Sequence, residues 1–168
     1  MRLKLIGAED AEALWRLQKA LDAETSFMMY EPDERTFDLA ATAEEIRRTD
    51  FLVAAEVDGR LAGYLSAQRG AYRRVRHVAT VVIGVLAEFQ RQGIGRRCFA
   101  ALDAWALEQG VRRLELTVES TNSAAIALYT AAGFTAEGVR RESMRVGGDF
   151  VDELSMAKLI PPPDPAPA

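Results

Sequence analysis

Hydrophobic positions in this chain follow two periods, and each period predicts a different kind of element. Alternation of apolar and polar residues, or a β-branched run, predicts strands at residues 2–6, 51–57, 60–67, 77–86, 113–119, 134–146 and 149–159. Apolar residues three or four positions apart predict helices at residues 9–22, 42–49, 94–109 and 123–132. Residues 23–40 follow neither period and are predicted to form a loop or a short helix. The predicted order is therefore β-α-α-β-β-β-α-β-α-β-β.

Turn and cap signals separate several of these elements. Asp58-Gly59 and Gly147-Gly148 each lie between two strand-like runs and predict hairpins, because such dipeptides adopt the positive φ angles of tight turns. Thr42, followed three residues later by Glu45, predicts the N-cap and capping box of the second helix.

The order of elements predicts an α/β (α+β) fold. The strands on either side of helix 94–109 should be parallel and joined by a right-handed crossover, and the flanking hairpins should be antiparallel. We expect one mixed, twisted sheet of about seven strands with helices on both faces. Residues 1–160 are predicted to form a single domain, and the proline-rich residues 161–168 are predicted to be a disordered tail.

Composition excludes several classes of protein. The formal net charge of −4 and the pI near 5.2 argue against a nucleic-acid partner, which requires a basic footprint. The apolar stretch at residues 78–87 is too short to span a membrane, and no secretory signal follows Met1. Cys98 is the only cysteine, which excludes an intrachain disulfide and favours a cytoplasmic location. No metal site is predicted.

The segment at residues 90–97 is the first candidate for a binding site, because it leaves a predicted central strand and opens a long helix. Gly93 and Gly95 allow the backbone to turn tightly and to approach a ligand closely. The first amide groups of a helix lack internal partners and carry the positive end of its dipole, so they favour phosphate. Three arginines add positive charge, at positions 91, 96 and 97.

Two other phosphate-binding motifs fit this segment poorly. A P-loop requires Lys-Ser/Thr after its last glycine, whereas Arg96-Arg97 follows Gly95. A dinucleotide-binding fingerprint requires a third glycine near position 98, which is Cys98. A helix start that binds no ligand is the remaining alternative.

Two motifs in the chain resemble the signatures of the GNAT superfamily of N-acetyltransferases. Residues 90–95, Gln-Arg-Gln-Gly-Ile-Gly, resemble the family's Gln/Arg-x-x-Gly-x-Gly/Ala signature. Residues 122–134, from Asn122 through Leu128-Tyr129 to Gly133-Phe134, resemble its second signature, Asn-x-x-Ala-x-x-Leu-Tyr-x-x-x-Gly-Phe. The resemblance covers residues 50–160 and is closest to the amino-acid and ribosomal-protein N-acetyltransferase branches.

This resemblance implies that acetyl-CoA is the co-substrate. The cofactor-binding residues that it implies are Ile83, Gly84, Val85, Arg91, Gln92, Gly93, Ile94, Gly95, Arg96, Asn122 and Tyr129. The strand residues 83–85 would bind the pantetheine arm through main-chain groups, and a bulge there would open a cleft beside strand 113–119. The loop amides would hold the pyrophosphate, Asn122 would bind the cofactor arm, and Tyr129 would lie near the thioester sulfur.

The resemblance also implies direct reaction of the two substrates in a ternary complex, with Tyr129 as the acid that protonates the departing thiolate. The base is less well defined. Family members often place a carboxylate or histidine at positions matching Ala79 and Val81, and the ribosomal-protein enzymes place a glutamate at the position of Thr117. None of these three residues can serve as a base here.

Three other residues are therefore candidates for the base. His77 precedes Ala79 by two positions, so strand alternation puts it on the same face, although a lone histidine is more often structural. Glu24 lies in a segment that lines the acceptor side in this fold, and Glu119 is a further candidate.

The acceptor predicted from the resemblance is the primary amine of a small, amino-acid-like molecule. A protein N-terminus, as in the ribosomal-protein branch, is an alternative within the family. A non-catalytic acyl-CoA-binding module is an alternative from a different class. The resemblance further implies a homodimer that forms through the C-terminal strands.

Overall fold

The computed structural model describes residues 1–161, and its elements follow the predicted order. The strands are β1 (Arg2–Leu5), β2 (Phe51–Val57), β3 (Arg60–Arg69), β4 (Val78–Val85), β5 (Arg113–Glu119), β6 (Thr135–Val146) and β7 (Asp149–Leu159). The helices are α1 (Ala11–Glu24), α2 (Leu39–Arg48), α3 (Ile94–Glu108) and α4 (Ser123–Ala131). Apart from its first residue, the tail predicted at 161–168 lies outside the described residues.

All seven strands form one mixed sheet in the order β1-β2-β3-β4-β5-β7-β6. Strand β4 pairs with β5 in parallel, and the other neighbouring strands pair antiparallel. The helical crossover through α3 joins the parallel pair. The predicted fold class, a mixed sheet with parallel central strands and antiparallel flanks, is confirmed.

The two faces of the sheet carry separate hydrophobic cores. One face packs against α3 and α4, with Phe99, Leu102 and Leu114 among its buried side chains. The other packs against α1 and α2, with Leu14 and Leu21 at its centre. Because helices cover both faces of the central strands, main-chain groups of these strands can meet a ligand only where neighbouring strands separate.

The predicted start of α2 is wrong. The helix begins at Leu39, and its N-cap is Asp38, whose side chain accepts a hydrogen bond from the amide of Ala41 at 2.9 Å. Thr42 lies inside the first turn, and its hydroxyl donates to the carbonyl of Asp38 at 2.8 Å. Aspartate is a strong N-cap residue. The Thr-x-x-Glu pattern that predicted a capping box lies inside the helix, where Thr42 bonds to the main chain of the preceding turn.

The segment at residues 25–38, between α1 and α2, is irregular rather than helical. A buried ion pair joins it to α1, because the guanidinium of Arg35 binds the fully buried carboxylate of Asp22. Arg35 also donates to Gln18 at 3.1 Å and lies 4.3 Å from the ring centroid of Tyr30. These contacts hold the segment beside the central strands.

No helix within residues 1–161 combines the length and the apolar character required to cross a membrane.

Candidate functional site

A large cavity opens where β4 and β5 diverge. The two strands pair at only three positions, from Val78–Arg113 to Thr80–Glu115. Beyond these pairs, residues 81–85 pair only with β3, and residues 116–119 pair only with β7. The resulting cleft belongs to a cavity of about 1310 Å³. This exceeds the roughly 300–1,000 Å³ of common small-molecule pockets and leaves room for two substrates.

The main chain of β4 faces the cleft at alternate residues. The amide of Leu86 donates to Ala62 and the carbonyl of Val78 accepts from Gly70, both on the β3 side at 3.0 Å. Because main-chain groups alternate along an antiparallel ladder, the even-numbered residues bond to β3 and the odd-numbered ones face β5. Among the described residues, the main-chain groups of Ile83 and the amide of Val85 therefore face the cleft without a partner on β3, whereas the carbonyl of Val85 accepts from the Gln90 side chain.

Gly84, predicted to bind through its main chain, has a different geometry. Its polar groups face β3, and a Cβ at this position would lie 2.7 Å from Leu21 Cδ1 on α1. Glycine is required here because α1 packs directly against the strand. The register between β3 and β4 is continuous from Gly63–Val85 to Arg69–Ala79, so the cleft opens without the bulge that the resemblance implied.

The loop after β4 presents a row of free amides. Among the described residues, no acceptor is found for the backbone N–H groups of residues 91–96, whereas the amide of Arg97 donates to Gly93. Gly93 caps α3 in the left-handed region with φ 81°, and Arg91 also has a positive φ of 58°. Arg91 and residues 93–96 line the cavity, and backbone angles of this kind suit a concave row of consecutive amides, to which the helix dipole adds positive potential.

Gly95 allows the start of α3 to approach α4. A Cβ at this position would lie 2.7 Å from Leu128 Cδ2. The motif glycines thus have separate roles, since Gly93 provides a backbone angle and Gly95 provides close helix packing.

Glu24 lines the cavity, and one of its carboxylate oxygens is engaged. Oε2 accepts a hydrogen bond from the amide of Ala87 at 2.9 Å, which ties the end of α1 to the loop after β4. Gln90 supports the same loop, because its side chain donates to the carbonyl of Val85 at 3.1 Å. The structure therefore gives Glu24 a positioning contact at the end of the cleft.

Tyr129 lines the cavity from α4 and is 8% exposed. Its ring packs against Phe99 and Phe134, with ring centroids 5.8 Å and 6.2 Å away. Burial raises the pKa of the Tyr129 hydroxyl to about 12. No hydrogen-bond partner for this hydroxyl is found within residues 1–161. The side chain thus keeps its proton at neutral pH and can donate it.

Asn122 caps α4, because its Oδ1 accepts from the amide of Ala125 at 3.1 Å. It also lines the cavity. Its Nδ2 group has no partner in the described part of the chain, so the cap leaves this donor free for a ligand.

His77 does not reach the cavity. It lies exposed in the turn before β4, and its carbonyl accepts from the amides of Arg112 and Arg113. A strand rises about 3.3 Å per residue, so His77 is about 20 Å along the chain from Ile83, at the closed end of the cleft. Ala79 and Val81 are 0% and 4% exposed in the core against α3. Ala79 is therefore closed to an acceptor, whereas Val81 also lines the cavity but offers only an apolar side chain.

The opposite side of the cleft is built from charged side chains. Leu114, Leu116 and Val118 face the core, so the intervening residues of β5 face the cavity together with their cross-strand partners. We name this surface the charged wall, and its residues are Arg113, Glu115, Thr117, Glu119, Glu137, Arg140, Glu153 and Ser155. The opposite surface, formed by residues 81–96, is named the main-chain wall.

Ion pairs neutralise part of the charged wall. Arg113 binds Glu115 and Glu137, each at 2.9 Å, and these carboxylates raise the pKa of Arg113. Arg140 donates to Glu153 at 3.1 Å. Among the described residues, no cation lies within ion-pair distance of Glu119.

A bulge in β6 shapes the edge of this wall. The register between β6 and β7 shifts between Arg140 and Met144, and Glu142 adopts a positive φ of 50°. Asp152 stabilises the bulge, because its Oδ1 accepts from the amide of Glu142 at 2.8 Å. The bulge brings the hydroxyl of Ser143 within 2.9 Å of Glu153 Oε2. Bulges commonly redirect side chains near functional sites.

Sequence reasoning missed Glu153 and Arg140. Both lie in the C-terminal hairpin, and the pairing of its strand β7 with β5 is not encoded by local spacing. Burial of Glu153 at 4% exposure is visible only after the strands are assembled. No cluster of side chains suited to a metal ion is found within residues 1–161.

The chain matches the family model described as the acetyltransferase (GNAT) family over residues 14–134. It is 33% identical over 136 residues to N-alpha-acetyltransferase RimI of Mycobacterium tuberculosis, a match covering 81% of this chain and 84% of that protein. It is 31% identical over 111 residues to L-amino acid N-acetyltransferase AaaT of Escherichia coli, covering 64% of this chain and 67% of that protein.

A solved structure has the same fold. The structure of yncA, described as a putative acetyltransferase from Salmonella typhimurium with its cofactor acetyl-CoA, superposes with a TM-score of 0.85. The two chains share 19% identity, and the match covers 99% of this chain and 98% of the other.

Proposed function

This chain belongs to the acetyltransferase (GNAT) family, and from that premise we propose that it transfers an acetyl group from acetyl-CoA to the amine of a small, amino-acid-like molecule. The family assignment favours an enzyme over a non-catalytic acyl-CoA-binding module. The observation that carries the proposal is the row of free amides at residues 91–96, next to the cleft between β4 and β5.

The donor side fits acetyl-CoA by its chemistry. Consecutive amides at the start of α3 suit a pyrophosphate, and the exposed guanidinium groups of Arg91 and Arg96 add positive charge. The free main-chain groups of Ile83 and the free amide of Val85 suit the amides of a pantetheine arm, and Nδ2 of Asn122 offers one more donor. Bound acetyl-CoA supplies an acetyl group activated as a thioester.

The residues of this chain would then orient the reactants and move protons. The main-chain wall holds the donor in one position, which lowers the entropic cost of bringing two reactants together. The hydroxyl of Tyr129 gives its proton to the leaving sulfur, because its raised pKa keeps it protonated until the thiolate forms. Glu24 holds the loop after β4 in place through the amide of Ala87.

The terminal amine of a protein is the second candidate acceptor. The relative from Mycobacterium tuberculosis, which matches 81% of this chain, is named as an N-alpha-acetyltransferase. An α-amino group has a pKa of about 8 and is therefore partly neutral under physiological conditions. Such an acceptor would enter between the charged wall and the segment at residues 25–38.

A thiol-release assay with acetyl-CoA tests both candidates. The acceptors are a set of free amino acids, spermidine, and short peptides with free or blocked N-termini. Release with amino acids alone supports the small-molecule acceptor, whereas release with free but not blocked peptides supports the protein acceptor. Calorimetry with coenzyme A tests the donor site separately, and the absence of binding would contradict the proposal as a whole.

A further inference from the structure

Two buried carboxylates are neighbours on the charged wall. Glu119 and Glu153 are direct cross-strand partners on β5 and β7, and they are 8% and 4% exposed. The Cβ atoms of such partners lie about 4.5–5.5 Å apart, and like charges placed in this way repel each other. The pair therefore requires compensating positive charge.

Within residues 1–161, only Glu153 has that compensating charge. Its Oε2 accepts from Arg140 at 3.1 Å and from the hydroxyl of Ser143 at 2.9 Å. The other arginine on this wall, Arg113, is already bound by two carboxylates. One cation thus serves two adjacent buried carboxylates.

The side-chain carboxylate of Glu119 has a hydrogen-bond partner for only one of its two oxygens among residues 1–161. Its Oε1 accepts from the hydroxyl of Thr121 at 2.6 Å, but its Oε2 is buried without a hydrogen-bond partner among residues 1–161. A buried polar atom without a partner destabilises a protein by about 1–3 kcal/mol, and by more if it is charged. Such an atom in the lining of a cavity indicates a missing ligand group, and a carboxylate selects a cation that donates hydrogen bonds.

We propose that Glu119 binds the protonated amine of the acceptor and removes its proton, an inference that rests on the proposed acetyl transfer. Glu119 shares its face of the sheet with Thr117 and lies about 7 Å farther along the strand. The acceptor ammonium supplies the second cation of the carboxylate pair. This role also explains why the wall needs no carboxylate at position 117.

The proton transfers balance with Tyr129 as the second partner. The ammonium gives one proton to Glu119 and becomes a neutral amine. The amine nitrogen forms a bond to the acetyl carbonyl carbon, the carbon–sulfur bond breaks, and the sulfur takes the proton of Tyr129. The new amide nitrogen loses its extra proton to restore the tyrosine, and Glu119 releases its proton to water.

A binding experiment tests the first half of the proposal without requiring turnover. Protein loaded with coenzyme A is titrated with n-butylammonium chloride, and the side-chain carboxyl carbons of glutamate are followed by NMR. The signal that disappears in Glu119→Gln belongs to Glu119, and we expect it to shift along a saturable curve. Glu115→Gln is the matched control, because Glu115 lies on the same strand face but is already paired with Arg113. An unchanged Glu119 signal overturns the proposal.

A pH profile of thiol release, with the most active amine of the acceptor set, tests the second half. At neutral pH, Glu119→Gln should be slower by roughly 100-fold, a common size for the loss of a general base. The loss should shrink as the pH rises toward the pKa of the amine, about 10 for an alkyl amine, because the solution then supplies neutral amine. An equal loss at every pH contradicts proton removal.

Thr121→Val separates catalysis from a structural role, because it removes the contact to Oε1 and leaves the carboxylate in place. We expect it to keep most of the activity. If Thr121→Val is as slow as Glu119→Gln, Glu119 only supports the turn before α4, and the proposal is wrong. If the parent protein releases no thiol with any amine, the proposed function fails, while the NMR titration still decides whether Glu119 binds an ammonium.

Discussion

The two sides of the cleft meet their ligands with different parts of the chain. The main-chain wall offers mainly backbone amides, with two arginines at its edge, whereas the charged wall offers carboxylates and guanidinium groups of side chains. Backbone amides are unchanged by most substitutions, so the first surface depends on backbone angles and close packing. The second depends on individual side chains, each of which can be changed without moving the strands. The acceptor site can therefore be altered by single substitutions while the donor site of the same fold stays in place.

Tyr129→Phe should have the largest effect, since it removes the one side chain on the donor side to which chemistry is assigned. We expect turnover to fall by roughly 100-fold or more, while coenzyme A affinity stays within about twofold. Thiol release and calorimetry measure the two quantities. Because burial raises the pKa of Tyr129 to about 12, ionisation of this group should not reduce turnover of the parent between pH 7 and 9. Equal turnover in the parent and in Tyr129→Phe would show that Tyr129 is not the acid that protonates the thiolate.

Gly95→Ala tests whether the main-chain wall depends on close packing. The new Cβ would lie 2.7 Å from Leu128 Cδ2, so α3 and α4 must separate. Overpacking of this kind costs about 1–3 kcal/mol of unfolding free energy, and we expect weaker coenzyme A binding as well. Gly138→Ala is the control, because like Gly95 it has no positive φ, but it has no atom within 4 Å of the new Cβ. Urea unfolding and calorimetry on both variants decide whether binding follows the packing.

Arg140→Ala tests the charged wall. It leaves the buried carboxylate of Glu153 with the Ser143 hydroxyl alone, and we expect a loss of about 1 kcal/mol because the Arg140 side chain is 53% exposed. We also expect the KM for the acceptor to change while coenzyme A affinity does not. A change in coenzyme A affinity instead would mean that the two walls are not independent.

Arg91 allows the smallest and sharpest test of the main-chain wall. Its φ of 58° is unfavourable for alanine and acceptable for glycine. Arg91→Ala and Arg91→Gly lose the same charge, so a difference between them reports the backbone alone. We expect Arg91→Gly to retain several-fold higher coenzyme A affinity, as measured by calorimetry. If the two variants lose the same coenzyme A affinity, the contribution of Arg91 comes from its charge and not from its backbone angle.

The fold was largely predictable from local patterns, because hydrophobic periods and turn dipeptides fixed nearly every element. The start of α2 was not, because the Thr42-x-x-Glu45 pattern lies inside a helix that begins three residues earlier, where Asp38 caps the amide of Ala41. The strand at residues 77–86 was predicted with one residue too many at each end. Both errors concern boundaries, where several residues can satisfy the same local preference.

The two walls were not equally visible in the sequence. The loop at residues 90–97 carries its chemistry in consecutive residues, so its glycines and arginines could be found by spacing. In the charged wall, Glu119 lies beside Glu153. These two residues are far apart in the chain and become neighbours only through the pairing of β5 with β7. His77 illustrates the same limit, because alternation gave its strand face but not its distance from the open end of the cleft.

The bulge in β6 also affects whether the sheet edge of this protein can pair with a strand of another copy. Strand β6 forms one edge of the sheet, and an unpaired edge can recruit further strands and start aggregation. The register shifts between Ala136 and Gly138 and between Arg140 and Met144 break this edge into three shorter segments that cannot be matched by one straight strand. The same irregularity that supports Glu153 therefore protects the longest edge of the sheet against uncontrolled polymerisation.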